Sequence, residues 1–458
     1  MAHAPAATAD GYPGHGSSSY RAYALGALLV VYTFNFIDRV VVGIIQEPIK
    51  TEFGLTDFQL GLLGGPAFAV LYTFLGIPIA RLAERRNRMT ILSVCVALWS
   101  AATALCGLAT SYTFLLLARI GVSVGEAGCT PPAQSVISDY FPAKSRATAM
   151  SIYALGIPIG SLLAAVGGGW LAHTFGWRSA FLILGLPGLV LAVIVKLTVK
   201  EPPRSSATFA AGAGADETPT LREAFRELMK KPTFWHTALG AALASFVGYG
   251  VGQYLNSFLM RTHELTLLES SRLTGVVLGV ASAVGTFAAG WIADRIAKKY
   301  PNAIAWLPAV GFFIATPAYL AGYTAPTLTL AVPFLVIGAL THYFYLGSMY
   351  AITSGIVKPR MRATAVAVLL FIVNLLGYGL GPPVIGALSD FLRNTQLTPL
   401  GLSGDACEGA ALALNAAVCG PASEFGLRWA IFIGLFGYLW AAAHFLFAWR
   451  TLRRDWVG

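Results

Sequence analysis

Apolar segments long enough to cross a bilayer recur along this 458-residue chain, and no other feature restricts its fold so severely. In hydrocarbon every backbone N–H and C=O must find a partner inside the protein, so a spanning segment is a helix or part of a closed barrel. A helix needs about 20 predominantly apolar residues to cross. Twelve segments meet that requirement, at 22–47, 58–82, 90–109, 112–138, 146–171, 177–198, 234–260, 271–293, 303–323, 327–356, 362–390 and 426–449. The chain is 56% hydrophobic and 11% charged, where a soluble domain carries about 25% charged residues. The expected fold is an all-α, multi-pass membrane protein of twelve transmembrane helices.

The net charge of +10 would suit a nucleic-acid partner if the cations shared one soluble face. Their placement excludes that. Of the 31 Lys and Arg, 23 flank the spans on one side, six lie on the other, and Arg39 and Arg119 lie within spans. This is the positive-inside pattern, which puts both termini in the cytoplasm and suits a plasma or inner membrane. The first 20 residues are small and polar and lack a basic start before an apolar run. They read as a disordered cytoplasmic tail, not a signal peptide.

Asp38 and Arg39 interrupt the apolar run "YTFNFIDRVVVG" of the first span. An ionised side chain at that depth costs at least about 2.5–3.5 kcal/mol, so it faces a cavity or a partner. In the fourth span Arg119 and Glu126 are seven apart, which places them on nearly one face and about 10 Å apart along the axis. Asn35 is one turn from Asp38. Two acids and two bases can form a static, neutral packing network. Alternatively, a carboxylate among cations at low dielectric changes its proton affinity with any rearrangement, which is what proton coupling requires. Both readings stand at this point.

Residues 200–233 break the pattern with the Pro/Gly/Ala-rich "EPPRSSATFAAGAGADETPT" and then "LREAFRELMKK", a cytoplasmic linker with a short amphipathic helix. The expected organisation is a tail to residue 20, a six-helix bundle over 21–199, the linker over 200–233, a second six-helix bundle over 234–450, and a tail over 451–458. The halves repeat. "FPAKSRATA" is echoed by "KPRMRATA" and "ARLAERRNR" by "GWIADRIAKK", at offsets of 216 and 210 residues. Duplicated six-helix halves are the plan of many secondary transporters, with substrate bound between them near the bilayer midplane.

On these residues the sequence resembles the major facilitator superfamily from residue 20 to 452. Its loop signature, Gly-x-x-x-Asp-Arg-x-Gly-Arg-Arg/Lys, is kept in the second copy by Gly290, Asp294, Arg295, Lys298 and Lys299, with Ala297 as the exception. The first copy keeps Arg85 and Arg88 but has Ala80, Glu84 and Asn87. More narrowly, "NFIDR", "RIGVSVGEAGCTPPAQSVISDYFP" and "YALGIPIG" resemble the spinster group, whose members include exporters of sphingosine 1-phosphate and lysophospholipids.

The resemblance implies pseudo-symmetric halves around a central cavity lined by the first and fourth helix of each half. Asp38 then approaches Arg119 across a helix interface, and Arg39 is free to pair with Glu126. Asp38, Glu126, Arg119 and Arg39 become the proton-coupling candidates. Arg119, Glu126, Asn35, His342, Tyr345 and Tyr249 become the substrate-binding candidates. The 216-residue offset puts His342 level with Glu126, although a lone membrane histidine is more often a packing residue. Glu84, Arg85, Arg88, Asp294 and Arg295 are candidate ionic latches. Gly156, Pro158, Gly377 and Gly381 are candidate moving parts, with close helix packing as the default reading.

An enzyme would need clustered nucleophiles or carboxylates, yet only Asp38 and Glu126 among the 21 acids lie deep in a span, and the seven histidines are scattered. No metal-ligand spacing occurs, and no cofactor is expected. The expectation is a proton-coupled secondary transporter working by alternating access on an amphipathic lysolipid or sphingoid phosphate, with a small organic anion as the alternative and a passive lipid channel or scramblase as the other class. A monomer suffices. Cys95, Cys106 and Cys129 fall in apolar helices, while Cys407 and Cys419, twelve apart in the last non-cytoplasmic loop, are placed either to form a disulfide or to remain free.

Overall fold

The computed structural model describes residues 15–204, 221–297, 299–300, 302–358 and 361–457. Among these the ordered elements are helices, with no strand. They assemble into twelve rods: α1 Ser18–Phe53, α2 Asp57–Ala83, α3 Arg88–Cys106, α4 Tyr112–Tyr140, α5 Thr148–Phe175, α6 Trp177–Thr198, α7 Pro232–His263, α8 Leu267–Ala293, α9 Ala303–Thr324, α10 Leu328–Gly355, α11 Thr364–Leu400 and α12 Ala416–Asp455. Eleven are both long and apolar enough to cross a membrane. The twelfth, α7, has 32 residues but is more polar. Its Gln253, Asn256 and Ser257 are all bonded to α1, so protein supplies the partners that lipid cannot.

Local chemistry sets the ends and the interruptions. The Ser17 side chain accepts from the Tyr20 N–H at 3.2 Å and starts α1. Gly54, at φ 63°, ends it in the left-handed region that glycine enters without a Cβ penalty. In α4 the ladder breaks after Glu126 and resumes at Thr130. Pro131 and Pro132 follow, and neither has an N–H to donate to the preceding turn. One π turn interrupts each of α5, α8 and α11, at Ala164–Gly168, Gly275–Ala281 and Val373–Tyr378. A separate helix, Leu221–Met229, occupies the expected linker position.

The last two spans run further than the expected limits of 390 and 426. Helix α11 continues to Leu400, and α12 starts at Ala416. The connection carries a short helix, Gly409–Leu414, and the Cys407–Cys419 disulfide, with Cα atoms 5.4 Å apart. The pairing that the sequence left open is therefore made.

The first half, α1–α6, meets the second, α7–α12, along α2 with α11, α5 with α8, and α1 with α7. Two of these contacts, Asp57–Gly64 of α2 on Gly381–Leu397 of α11 and Gly169–Phe175 of α5 on Leu267–Thr274 of α8, lie at the end remote from the basic loops. A Cβ on Gly61 would fall 2.5 Å from the Pro382 carbonyl oxygen, so only glycine permits that approach. The halves are thus pressed together at one end.

Candidate functional site

The ionisable residues of α1 and α4 meet at the core of the first half. Glu126 is fully buried, and its Oε2 accepts from Arg39 Nε at 2.7 Å. Arg39 therefore pairs across the α1–α4 interface as expected. Arg119 is fully buried as well, and its Nη1 donates to the backbone carbonyl of Asp38 at 3.1 Å, not to the carboxylate. The Asp38 side chain has Glu126, Arg119 and Thr103 of α3 as polar neighbours. Asn35 lies beside Glu126.

Hydrogen bonding in this set is incomplete. Asp38 Oδ1, Glu126 Oε1, Arg39 Nη2, Arg119 Nε and Nη2, and both amide atoms of Asn35 are buried without a hydrogen-bonding partner. A buried polar atom left unpaired costs about 1–3 kcal/mol, and such groups call for an explanation. Asn35, Thr103 and Tyr72 are the polar side chains next to these atoms, beside Glu126, Asp38 and Arg39 respectively.

Only Arg39 of the two intramembrane arginines is not fully enclosed, with a side-chain exposure of 15%. Its guanidinium lies over the rings of Phe36, Phe68 and Tyr72 at 5.1, 4.7 and 4.6 Å. Tyr249 of α7 and Tyr350 of α10 are 43% and 39% exposed although they face one another and Tyr72 near the molecular centre. Their exposure among these neighbours marks an opening between the halves, and Arg39 is the cation set beside it. Arg119, the anion-binding candidate, stands behind Asp38 and away from that opening in this conformation.

In the second half His342 ends the first segment of α10 as Glu126 ends that of α4, which matches the 216-residue offset. Its Nδ1 lies 3.0 Å from Tyr319 Oη, and its ring packs on Tyr343 and Tyr438. Tyr345 is buried, its hydroxyl 3.2 Å from Ser245 Oγ. Both belong to the interior of this half and are not grouped with Arg39 and Glu126.

Among the latch candidates, Arg88 is buried within its own half. It pairs with Asp139 of α4, donates from Nε to Glu201 at 2.6 Å, and bonds the Pro202 carbonyl oxygen at 2.9 Å. Arg85 and Arg295 are exposed, the latter over the Trp291 ring at 3.8 Å. The side chains of Glu84 and Asp294 lie outside the described residues. Gly156 packs on Tyr32 of α1, Gly377 on Ser245 and Gly381 on Phe246 of α7, each within one half, and Pro158, of intermediate exposure, lies two residues beyond Gly156.

The seal at the other end is a second polar cluster that the sequence reading missed. Arg261 of α7 donates to both carboxylate oxygens of Asp57 at 2.8 Å and to Glu47 at 2.6 Å. Lys50 and Ser389 also bond the Asp57 carboxylate. The Asp57 and Phe58 N–H groups donate to Asp390 of α11 at 3.0 and 2.8 Å. Beside it, Gln46 and Gln253 exchange bonds between α1 and α7. Lys50 and Arg261 read as charges flanking spans, because nothing in their spacing joins positions more than 200 residues apart. The nearest signal was Glu47 and Lys50, one turn apart at the end of the first span and just before Asp57. Among the described residues no three His, Cys, Asp or Glu groups are arranged to hold a metal ion.

Twelve rods in two facing halves, sealed at one end around buried acid/base residues, define a carrier-type membrane transporter, and residues 28–382 match the Major Facilitator Superfamily, to which this chain belongs. Within it the chain is of the spinster type. It is similar to the crystal structure of a bacterial homologue of the human lysosomal transporter Spinster in an inward-facing, unoccupied conformation, with a TM-score of 0.86 and 40% identity over 97% of this chain and 100% of that one. It is 34% identical over 371 residues to an MFS-type efflux pump of Mycolicibacterium smegmatis, covering 81% of this chain and 85% of the pump. It is 26% identical over 393 residues to protein spinster homolog 1 of Xenopus tropicalis, covering 82% and 74% of the two chains.

Proposed function

We infer that this transporter is proton-coupled and carries an amphipathic substrate with an anionic head, of the lysolipid or sphingoid-phosphate kind, by alternating access. The observation that carries this reading is the Arg39–Glu126 pair beside the central cavity, with Asp38 and Arg119 behind it and unused bonding atoms on all four residues. On the positive-inside assignment the basic end is cytoplasmic, so the present conformation is inward-facing.

When Asp38 and Glu126 take protons, the set loses its negative charge and Arg39 loses the partner that holds its Nε. Its planar fork is then free for a phosphate or carboxylate, which it binds through two directed, charged hydrogen bonds. Arg119, no longer balanced by Asp38, follows as the second cation. Loss of the protons restores the internal pair and expels the anion. Binding and protonation are linked in this way, and each biases the relative stability of the inward-facing and outward-facing states. Phe36, Phe68, Tyr72, Tyr249 and Tyr350 give the cavity an apolar aromatic wall next to the cation, which suits a lipid tail joined to a charged head. A small organic anion would use the same arginine without needing that wall.

The test is saturable uptake of labelled lysophospholipid or sphingosine 1-phosphate into liposomes under an imposed pH gradient. Gradient-driven flux present in the wild type and lost in Asp38→Asn and Arg119→Ala supports the reading. Absence of lipid flux with retained organic-anion flux overturns the substrate class. Unsaturable, pH-independent lipid flux would point to a scramblase.

A further inference from the structure

Arg39 is held by rings as well as by Glu126, and those rings continue into the other half of the molecule. Phe68, fully buried on α2, lies 4.7 Å from the Arg39 guanidinium and stacks on Tyr72 at 5.2 Å. Its other side meets Tyr378 of α11, edge to face, at 5.3 Å. Tyr378 in turn packs on Tyr249 of α7 at 4.3 Å. The row Arg39, Phe68, Tyr378, Tyr249 thus runs from the proton-binding set across the seam between the halves to the cavity wall of the second half.

The backbone at Tyr378 has little freedom to move alone. It is the last residue of the π turn of α11, a distortion that is frequent at functional positions. On one side a Cβ at Gly377 would fall 2.4 Å from Ser245 of α7, and on the other a Cβ at Gly65 would fall 2.9 Å from the Gly379 carbonyl oxygen. Helices α7, α11 and α2 therefore touch backbone to backbone around this one ring. Separation of the halves at the seal must pull Tyr378 away from Phe68, and displacement of Arg39 must disturb Phe68.

We propose that Tyr378 is a positioning residue for proton coupling, acting through Phe68 to hold Arg39 against Glu126 while the far end is sealed. This inference rests on the proton-coupled reading above. The groups facing the Arg39–Glu126 pair are Asp38, Asn35 and Tyr32 of α1, Tyr72 of α2, Arg119 and Cys129 of α4, and Tyr249 and Tyr378 of the second half. Of these, Tyr378 links the pair to α11.

The sign follows from the geometry. A ring row that keeps Arg39 in place keeps the cation near Glu126 and so favours the ionised carboxylate. With the row broken, Arg39 leaves more readily and Glu126 takes a proton at lower proton concentration. The pH midpoint of transport should move up by about half a unit, a threefold change, on the scale of an exposed cation–π contact.

The experiment is the pH profile of flux in proteoliposomes for wild type, Tyr378→Phe, Tyr378→Leu and Phe68→Leu, with melting temperature in detergent as the folding control. Tyr378→Phe keeps the ring and should keep the midpoint. Tyr378→Leu should raise it, with Tyr378→Met in its place if the leucine variant does not fold, and Phe68→Leu, which removes the ring on Arg39 itself, should raise it at least as far. A pH-dependent wild type whose midpoint is unchanged in the folded Tyr378 variant, whatever Phe68→Leu does, overturns this inference and leaves the proton-coupled reading intact. A wild type with pH-independent flux overturns both.

Discussion

Replacing Arg261 with alanine should open the sealed end. The substitution removes two 2.8 Å bonds to Asp57 and one of 2.6 Å to Glu47, all buried and all joining α7 of the second half to the first. Removing one partner of a buried ion pair costs about 3–5 kcal/mol. Here Asp57 keeps Lys50 and Ser389, so about 2 kcal/mol is the better figure for the loss. The bonds exist only while this end is closed, so that loss bears on the sealed conformation alone. It shifts the equilibrium toward the outward-open state by roughly 30-fold, at about 1.4 kcal/mol per factor of ten. The assay is alkylation of a cysteine placed at Ser257, a fully buried residue bonded to Gln46 across the seam, by a membrane-impermeant maleimide. Background labelling is low because Cys95, Cys106 and Cys129 are buried and Cys407 and Cys419 are bonded to each other. Arg261→Ala should raise the alkylation rate by at least tenfold over the Ser257→Cys parent. A rate within twofold of the parent, in protein that melts normally, would refute the assignment of this cluster as the closing latch.

Two further outcomes are expected. Arg39→Lys keeps the charge but loses both the planar fork and the ring stacking, so gradient-driven uptake in liposomes should fall at least tenfold; full activity would show that a point charge suffices there. Cys407→Ser with Cys419→Ser opens a short closed loop, for which chain entropy assigns about 3 kcal/mol. The doubly substituted protein should lose thermal stability in detergent, and an unchanged melting temperature would count against a structural role for the bridge.

Much of this protein is legible along the chain because membrane burial acts on local sequence. Each rod carries its own apolar run, and the duplicated signatures fix the symmetry of the two halves. Asp38, Arg39, Arg119 and Glu126 stand out since ionised groups at that depth demand a reason, and helical spacing was enough to put Arg119 and Glu126 on one face. The pairing of Arg39 with Glu126 was one arrangement among several that the sequence allowed, and the fold selects it. The contacts of the charges at span ends were less accessible: Arg88 bonds Asp139 and Glu201 inside its own half, while Asp57, Arg261 and Asp390 bond across the two halves. Charges at the ends of spans look alike in sequence whether they meet headgroups or one another.

The sequence by itself determined the solvent, the helical class and the presence of ionisable groups at membrane depth, which follow from the composition of single apolar runs, and it pointed to two halves through loop motifs repeated about 210 residues apart. Tertiary structure decided which arginine stands beside the cavity, which end is sealed, and which rings connect the two halves. Those features depend on residues as far apart as Asp57 and Asp390 meeting across a glycine-lined seam, and contacts between distant segments leave no periodic trace in the chain.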